Sequence, residues 1–283
     1  MSMGELKKTF ICGGMYKSGT TMLQRILNSH PEISCPAEHN LKGLNNMFST
    51  VNNNYNRHLE YRGSVIGVAA LNLGADFFNK TFFEYVREII LFSGEGKKVS
   101  GINDNEFFIE NLDLFHKYMP ETQFILIVRN PLDTALSNWD HCQRLYVKEG
   151  NKKYLETISL NNVLDKSLYS IEYSKVWINQ MAIFQRVKKE LGNKVLIIKF
   201  EDFISDKYKT CKELFGFLSV DTSDRVLKDI VSKSSIENMR QESTEPSFYR
   251  NGSVNFGHGR LNDTAISKIK KISKNVLSSL GYE

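Results

Sequence analysis

The sequence predicts an α/β chain: one central parallel sheet flanked by helices, in a single domain over residues 1–283. Three observations carry this. Short apolar runs recur at residues 9–14, 98–102, 124–129 and 194–200, separated by long stretches with helical periodicity. Strands that alternate with helices build parallel sheets through crossover connections. The run Phe124-Ile125-Leu126-Ile127-Val128 is apolar at every position, as a strand buried on both faces requires. A glycine-rich segment, Gly13-Gly14-Met15-Tyr16-Lys17-Ser18-Gly19-Thr20-Thr21, joins the first run to an amphipathic stretch over residues 22–29. The length of 283 residues, with 41% hydrophobic and 24% charged, suffices for one well-filled core.

The elements follow in order. After the first strand, the glycine loop aims backbone N–H groups and a helix N-terminus at one point, which suits a phosphate. A Walker A loop places its lysine directly after the last glycine. Here Thr20 holds that position, and the lysine is Lys17, two residues before Gly19. The loop therefore delivers its charge differently from that of a kinase or ATPase. Residues 49–56 are rich in asparagine and read as a loop. Phe78, Phe82, Tyr85 and Ile89 fall at helical spacing and read as one core-facing stripe, with an acceptor pocket as the alternative.

The strand over 124–129 ends in Arg129-Asn130, and Pro131 suits the first turn of a helix. Ligands of open α/β sheets collect at the carboxyl ends of strands, which places Arg129 as an anion ligand. After the strand over 194–200, Asp206 is expected to cap a helix reaching Leu218. Glu201 and Asp202 read as structural. Lys268-Ile269-Lys270-Lys271 reads as a solvated helix face.

Composition narrows the function. A net charge of +5 suits an anionic ligand, and its even spread argues against nucleic acid. No apolar run approaches the roughly 20 residues of a membrane span. The first eight residues lack the apolar core of a secretory signal. Cys12, Cys35, Cys142 and Cys211 are scattered and read as reduced thiols of a cytoplasmic protein. Their spacing is not that of a zinc site, and no metal is expected.

The segment Tyr16-Lys17-Ser18-Gly19-Thr20-Thr21-Met22-Leu23-Gln24-Arg25-Ile26-Leu27 resembles the first motif of the sulfotransferase family that uses 3′-phosphoadenosine 5′-phosphosulfate (PAPS). That motif reads roughly Pro-Lys-Ser-Gly-Thr-Thr-Trp-Leu-Gln-x-Ile-Leu. Arg129 and Ser137, eight residues apart, are similar to the family's second motif. Ser234-Ser235-Ile236-Glu237-Asn238-Met239-Arg240 is similar to its Ser-Phe-x-x-Met-Lys segment. Phe248-Tyr249-Arg250-Asn251-Gly252-Ser253-Val254-Asn255-Phe256-Gly257 is similar to its late Arg-Lys-Gly-x-x-Gly-Asp-Trp-Lys loop.

The resemblance implies a fold like that of the P-loop-containing nucleoside triphosphate hydrolases, with PAPS as co-substrate and adenosine 3′,5′-bisphosphate as product. It implies donor contacts from Gly14, Tyr16, Lys17, Ser18, Gly19, Thr20, Thr21 and Met22. Arg129 and Ser137 would hold the 3′-phosphate, and Ser234 and Met239 would lie near the adenine. Arg250, Asn251 and Gly252 would close over the nucleotide. Met22 stands where one branch has tryptophan, and its polarizable sulfur can still pack on an aromatic face.

Lys17 would neutralise charge on the leaving group. For the acceptor's proton, Glu38 matches a glutamate of the carbohydrate and protein-tyrosine branch, with His39 adjacent. The cytosolic small-molecule branch has a Lys-Thr pair and then a histidine. Here Asn103 stands at the lysine and no histidine follows, which leaves Asp104 as the second candidate base. The acceptor expected is a hydroxyl on a carbohydrate or small metabolite. Two other readings stay open: a small-molecule or nucleotide kinase, which would need Mg²⁺, and a non-catalytic nucleotide-binding relative.

Overall fold

The computed structural model describes residues 8–36, 39–149, 165–235, 238, 241 and 254–282. Strands β1 (Lys8–Gly14), β2 (Ile33–Ser34), β3 (Val99–Asn103), β4 (Gln123–Val128) and β5 (Val195–Lys199) form one sheet in the order β2-β3-β1-β4-β5. The strand pairings are parallel. The four strands expected from the sequence are present within a residue or so of their bounds. The two-residue edge strand β2 carries too little pattern to have been read.

Side chains alternate between the two faces with the period of a strand. Ile11 of β1 and Phe124, Leu126 and Val128 of β4 enter one core. Phe10, Cys12, Ile125 and Ile127 enter the other. The first core is closed by α3 (Ala75–Ser93), α4 (Phe107–Glu110), α5 (Leu112–Tyr118) and α7 (Lys166–Leu191). The second is closed by α1 (Thr20–Asn28), α8 (Phe200–Ser205), α9 (Lys207–Leu218) and α10 (Asp224–Lys233). A smaller cluster joins α6 (Pro131–Glu149), α7 and α11 (Asp263–Ser279) through Leu132, Leu136, Ile171 and Ile269. The four cysteines are buried, and none forms a disulfide. Among the described residues, no helix is long and apolar enough to cross a membrane.

Asp206 caps α9 as expected, accepting the Lys209 N–H at 2.9 Å. Lys268, Lys270 and Lys271 lie on the exposed face of α11, with Ile269 buried between them. Two expectations are corrected. Residues 49–56 are not a loop but lie inside helix α2 (Leu41–Ile66). Asparagine is a weak helix former, but tertiary contacts override that preference. Leu44 and Phe48 pack on the first core, and Asn56 clamps both the N–H and the C=O of Leu73 at 3.0 Å. The buried stripe of α3 is Phe82, Phe83, Val86 and Ile90. Tyr85 is exposed and lies against Phe48, so the stripe is rotated from the one the sequence gives.

The strand order positions the site. From β1 the chain turns by way of α1 towards β2 at one edge of the sheet; from β4 it leaves towards β5 at the other edge. Neighbouring strands whose connections diverge open a crevice at their carboxyl ends. The β1–β4 register pairs Gly14 with Ile127, so the glycine loop and Arg129 emerge side by side.

Candidate active site

The loop is a tight turn. Ser18 N–H and Ser18 Oγ both donate to the Met15 carbonyl, at 3.0 and 2.6 Å. Lys17 adopts φ +71° and Gly19 φ +103°, both left-handed. For lysine this conformation costs roughly 1–2 kcal/mol, and such strain concentrates at functional positions. Gly19 is held more strictly, because a Cβ there would come within 2.5 Å of the Phe200 ring. Gly14 cannot take a side chain either: its Cβ would meet the Ile127 carbonyl at 2.4 Å. Thr20 then opens α1, whose first N–H groups point out of the loop.

Arg129 closes the other side of the crevice. The residue is 8% exposed, and its Nη1 donates to the Lys17 carbonyl at 3.3 Å. Phe200 covers one approach to it, 4.2 Å from ring centroid to Cζ, and Phe256 another at 5.3 Å. Trp177 Nε1 donates to the Arg129 carbonyl at 3.0 Å, fixing the strand end. Glu201 supports the next residue: Oε1 accepts the Asn130 N–H and Oε2 accepts the Tyr282 hydroxyl, each at 2.8 Å. Its structural reading agrees with these contacts. Ser137 sits half-buried on α6, eight residues beyond Arg129.

On α7, the Tyr173 hydroxyl donates to the Tyr16 carbonyl at 3.4 Å. Two consecutive loop carbonyls are thus drawn to Tyr173 and Arg129. The Tyr16 side chain is 46% exposed and donates to Glu106 Oε1 at 2.6 Å. Burial raises the pKa of the Cys142 thiol, and its hydrogen bond with Tyr169 and the Lys17 charge oppose that rise.

Beyond β3 lie the residues expected to face an acceptor. The Asp104 main chain packs on the loop: its N–H donates to the Cys12 carbonyl, and a Cβ on Gly13 would meet its carbonyl at 2.2 Å. Its carboxylate accepts the Phe108 N–H at 2.8 Å and those of Leu41 and Glu106. Burial raises its pKa against these bonds. Asp104 is therefore engaged in capping. His39 lies near enough to feel its charge; burial is the larger effect and lowers the imidazole pKa. His39 Nε2 has no hydrogen-bond partner. Asn103 Nδ2 donates to Gln24 Oε1 at 3.3 Å, and Gln24 in turn donates to the Cys35 and Pro36 carbonyls. The asparagine thus stitches β3 to α1 and to the exit of β2.

The structure brings together Gly14, Tyr16, Lys17, Ser18, Gly19, Thr20 and Arg129, with Asp104 and His39 at the flank. Thr21 and Met22 follow on the first turn of α1, where Met22 packs on the second core. Ser234 ends α10 and turns its hydroxyl back to the Val231 carbonyl at 3.3 Å. Glu38, Met239, Arg250, Asn251 and Gly252 lie outside the described residues. Sequence reasoning gave no role to Asp133 and Phe200, although both lie in stretches it singled out, and it missed Trp177 and Tyr173; the four support the site.

The pattern described as the Sulfotransferase family matches residues 9–224. No curated protein sequence matches the chain. Among solved structures, a mouse sulfotransferase, SULT7A1, complexed with PAP, superposes with TM-score 0.61 at 15% identity, covering 96% of this chain and 85% of that one. Retinol dehydratase in complex with androsterone and the inactive cofactor PAP gives 0.53 at 13%, covering 95% and 80%. The sulfotransferase domain from the curacin biosynthetic pathway gives 0.52 at 12%, covering 98% of each. At these identities the likeness is one of fold. A match over three quarters of the sequence, on a crevice built from the glycine loop and Arg129, places this chain in the sulfotransferase family.

Proposed function

We propose that this protein transfers a sulfuryl group from PAPS to an acceptor hydroxyl on a carbohydrate or small metabolite. One observation carries the donor reading: Arg129, buried in the crevice, docks on the carbonyl of the loop lysine, Lys17. A cation fixed against a loop of outward N–H groups fits a ligand with two phosphates. Glycine at 14 and 19 lets the loop pack against the Ile127 carbonyl and the Phe200 ring, which fixes its backbone for such a ligand. The neighbours crystallised with PAP support the same donor.

The loop N–H groups and the hydroxyls of Thr20 and Thr21 bind the 5′-phosphate, and Arg129 and Ser137 bind the 3′-phosphate. Arg250, Asn251 and Gly252 belong to the donor side on the resemblance alone. The bound donor supplies the sulfuryl group. Lys17 holds positive charge where the leaving oxygen becomes negative. The acceptor's proton goes to the Glu38-His39 pair, with Glu38 the carboxylate that the family resemblance names. The lowered pKa of His39 keeps its imidazole neutral at pH 7, and its Nε2 is uncommitted. Asp104 is the weaker candidate, since three backbone N–H groups already occupy its oxygens. An alcohol acceptor agrees with the androsterone bound to retinol dehydratase.

The test is transfer of ³⁵S from labelled PAPS to a panel of sugars and small alcohols, without Mg²⁺, beside calorimetry of adenosine 3′,5′-bisphosphate and ATP. Labelled product and a clear preference for the bisphosphate are expected. Equal affinity for ATP, or transfer of phosphate from ATP, would overturn the reading.

A further inference from the structure

Asp133 stands on the first turn of α6, four residues after Arg129, and is fully buried. Its Oδ2 accepts the Asn255 N–H at 2.8 Å, and its Oδ1 accepts the Gly257 N–H at 2.9 Å. Those amides flank Phe256, so the carboxylate grips the backbone on both sides of that ring. The contact is close: a Cβ on Gly257 would come within 3.0 Å of the Leu132 side chain and 3.2 Å of Asp133 Oδ1. Arg129 Nη2 is 4.0 Å from Asp133 Oδ2, beyond hydrogen-bond range. The carboxylate thus hydrogen-bonds main chain, and it meets Arg129 both as a buried ion pair and through the ring it holds.

We propose that Asp133 is a positioning residue for the donor's 3′-phosphate. By clamping Asn255 and Gly257 it seats Phe256 on Arg129, while Phe200 approaches the same guanidinium from the body of the domain. Aromatic rings restrain the plane of a guanidinium by cation–π attraction and contact. A fork fixed before the ligand arrives loses less freedom on binding. The inference rests on the reading of Arg129 as a 3′-phosphate ligand.

The experiment compares adenosine 3′,5′-bisphosphate with adenosine 5′-monophosphate by calorimetry on wild type, Asp133→Asn, Phe256→Ala and Phe256→Trp. Asp133→Asn and Phe256→Ala should each weaken the bisphosphate about tenfold and leave the monophosphate unchanged. The double variant should be no weaker than either single one, and Phe256→Trp should retain affinity. Equal losses for both ligands, or a lower Tm with bisphosphate affinity intact, would overturn the proposal. If Asp133→Asn does not fold, Phe256→Ala decides against Phe256→Trp, because the ring is only partly buried at the edge of the small cluster it packs on. A wild type that binds both nucleotides equally overturns the donor reading itself. A wild type that prefers the bisphosphate, with variants that still do so fully, overturns only the role of Asp133.

Discussion

The two sides of the crevice are built differently. On the donor side, the carbonyls of Met15, Tyr16 and Lys17 are held by Ser18, Tyr173 and Arg129, and Arg129 is itself wedged by aromatic rings. On the side that starts at His39, helix α2 leaves Met47, Val51, Tyr55, Tyr61 and Val65 each more than half exposed. Groups that bind one fixed ligand can be set in advance, so less order has to be gained on binding. A surface with apolar side chains left in water is instead the kind that can change its contacts.

The largest expected effect sharpens this contrast. Lys17→Ala should lower turnover on the order of 100–1,000-fold with an unchanged melting temperature. Lys17→Gly should be as inactive yet at least as stable, because glycine accepts φ +71° freely. A Lys17→Gly protein that melts well below wild type would show that the lysine serves structure rather than charge.

Next comes the proposed acceptor side. Glu38→Gln should reduce turnover about 100-fold while bisphosphate affinity, measured by calorimetry, stays the same. If affinity falls along with turnover, the two sides are not separate. His39 adds a pH signature. Burial lowers its pKa below 6.5, so the unfolded chain takes up its proton first as the pH falls. Its stabilising contribution is complete above pH 6.5 and is lost as pH falls through the lower folded value. Chemical denaturation between pH 7.5 and 5 should show His39→Gln losing less stability over that range than wild type.

A smaller effect is expected at Tyr282. Tyr282→Phe removes a hydrogen bond to Glu201 and should cost about 1 kcal/mol, with a two- to fivefold rise in the donor KM. The smallest is on α2: Val51→Ser and Tyr55→Ser should each shift stability by less than about 0.5 kcal/mol and leave bisphosphate affinity unchanged. A large loss of donor affinity from either would erase the contrast between the two sides.

The same division governs what could be read from the sequence. Glycine loops and strand-end arginines are local signals, and β1, β4, Gly19 and Arg129 were legible from spacing and apolar runs alone. The asparagine tract misled, because α2 is held by Phe48 on the core and Asn56 on Leu73, contacts that cross to other elements. Asp133 was invisible for the same reason: its partners lie more than 120 residues away, and no local pattern encodes them. The rotated stripe of α3 shows that periodicity finds a helix more readily than it finds which face is buried.

Tyr282 has a further implication, in the order of events during synthesis. Its hydroxyl meets Glu201 Oε2, and the other oxygen of that carboxylate holds the backbone beside Arg129. Lys199, at the end of β5, reaches the Gly281 carbonyl at 2.7 Å. A ribosome that has made the glycine loop and both motif strands has therefore not yet made a finished donor pocket. The last support arrives only when residue 282 leaves the exit tunnel. A nascent chain stalled or clipped before that point would carry every recognisable motif and still hold its arginine loosely.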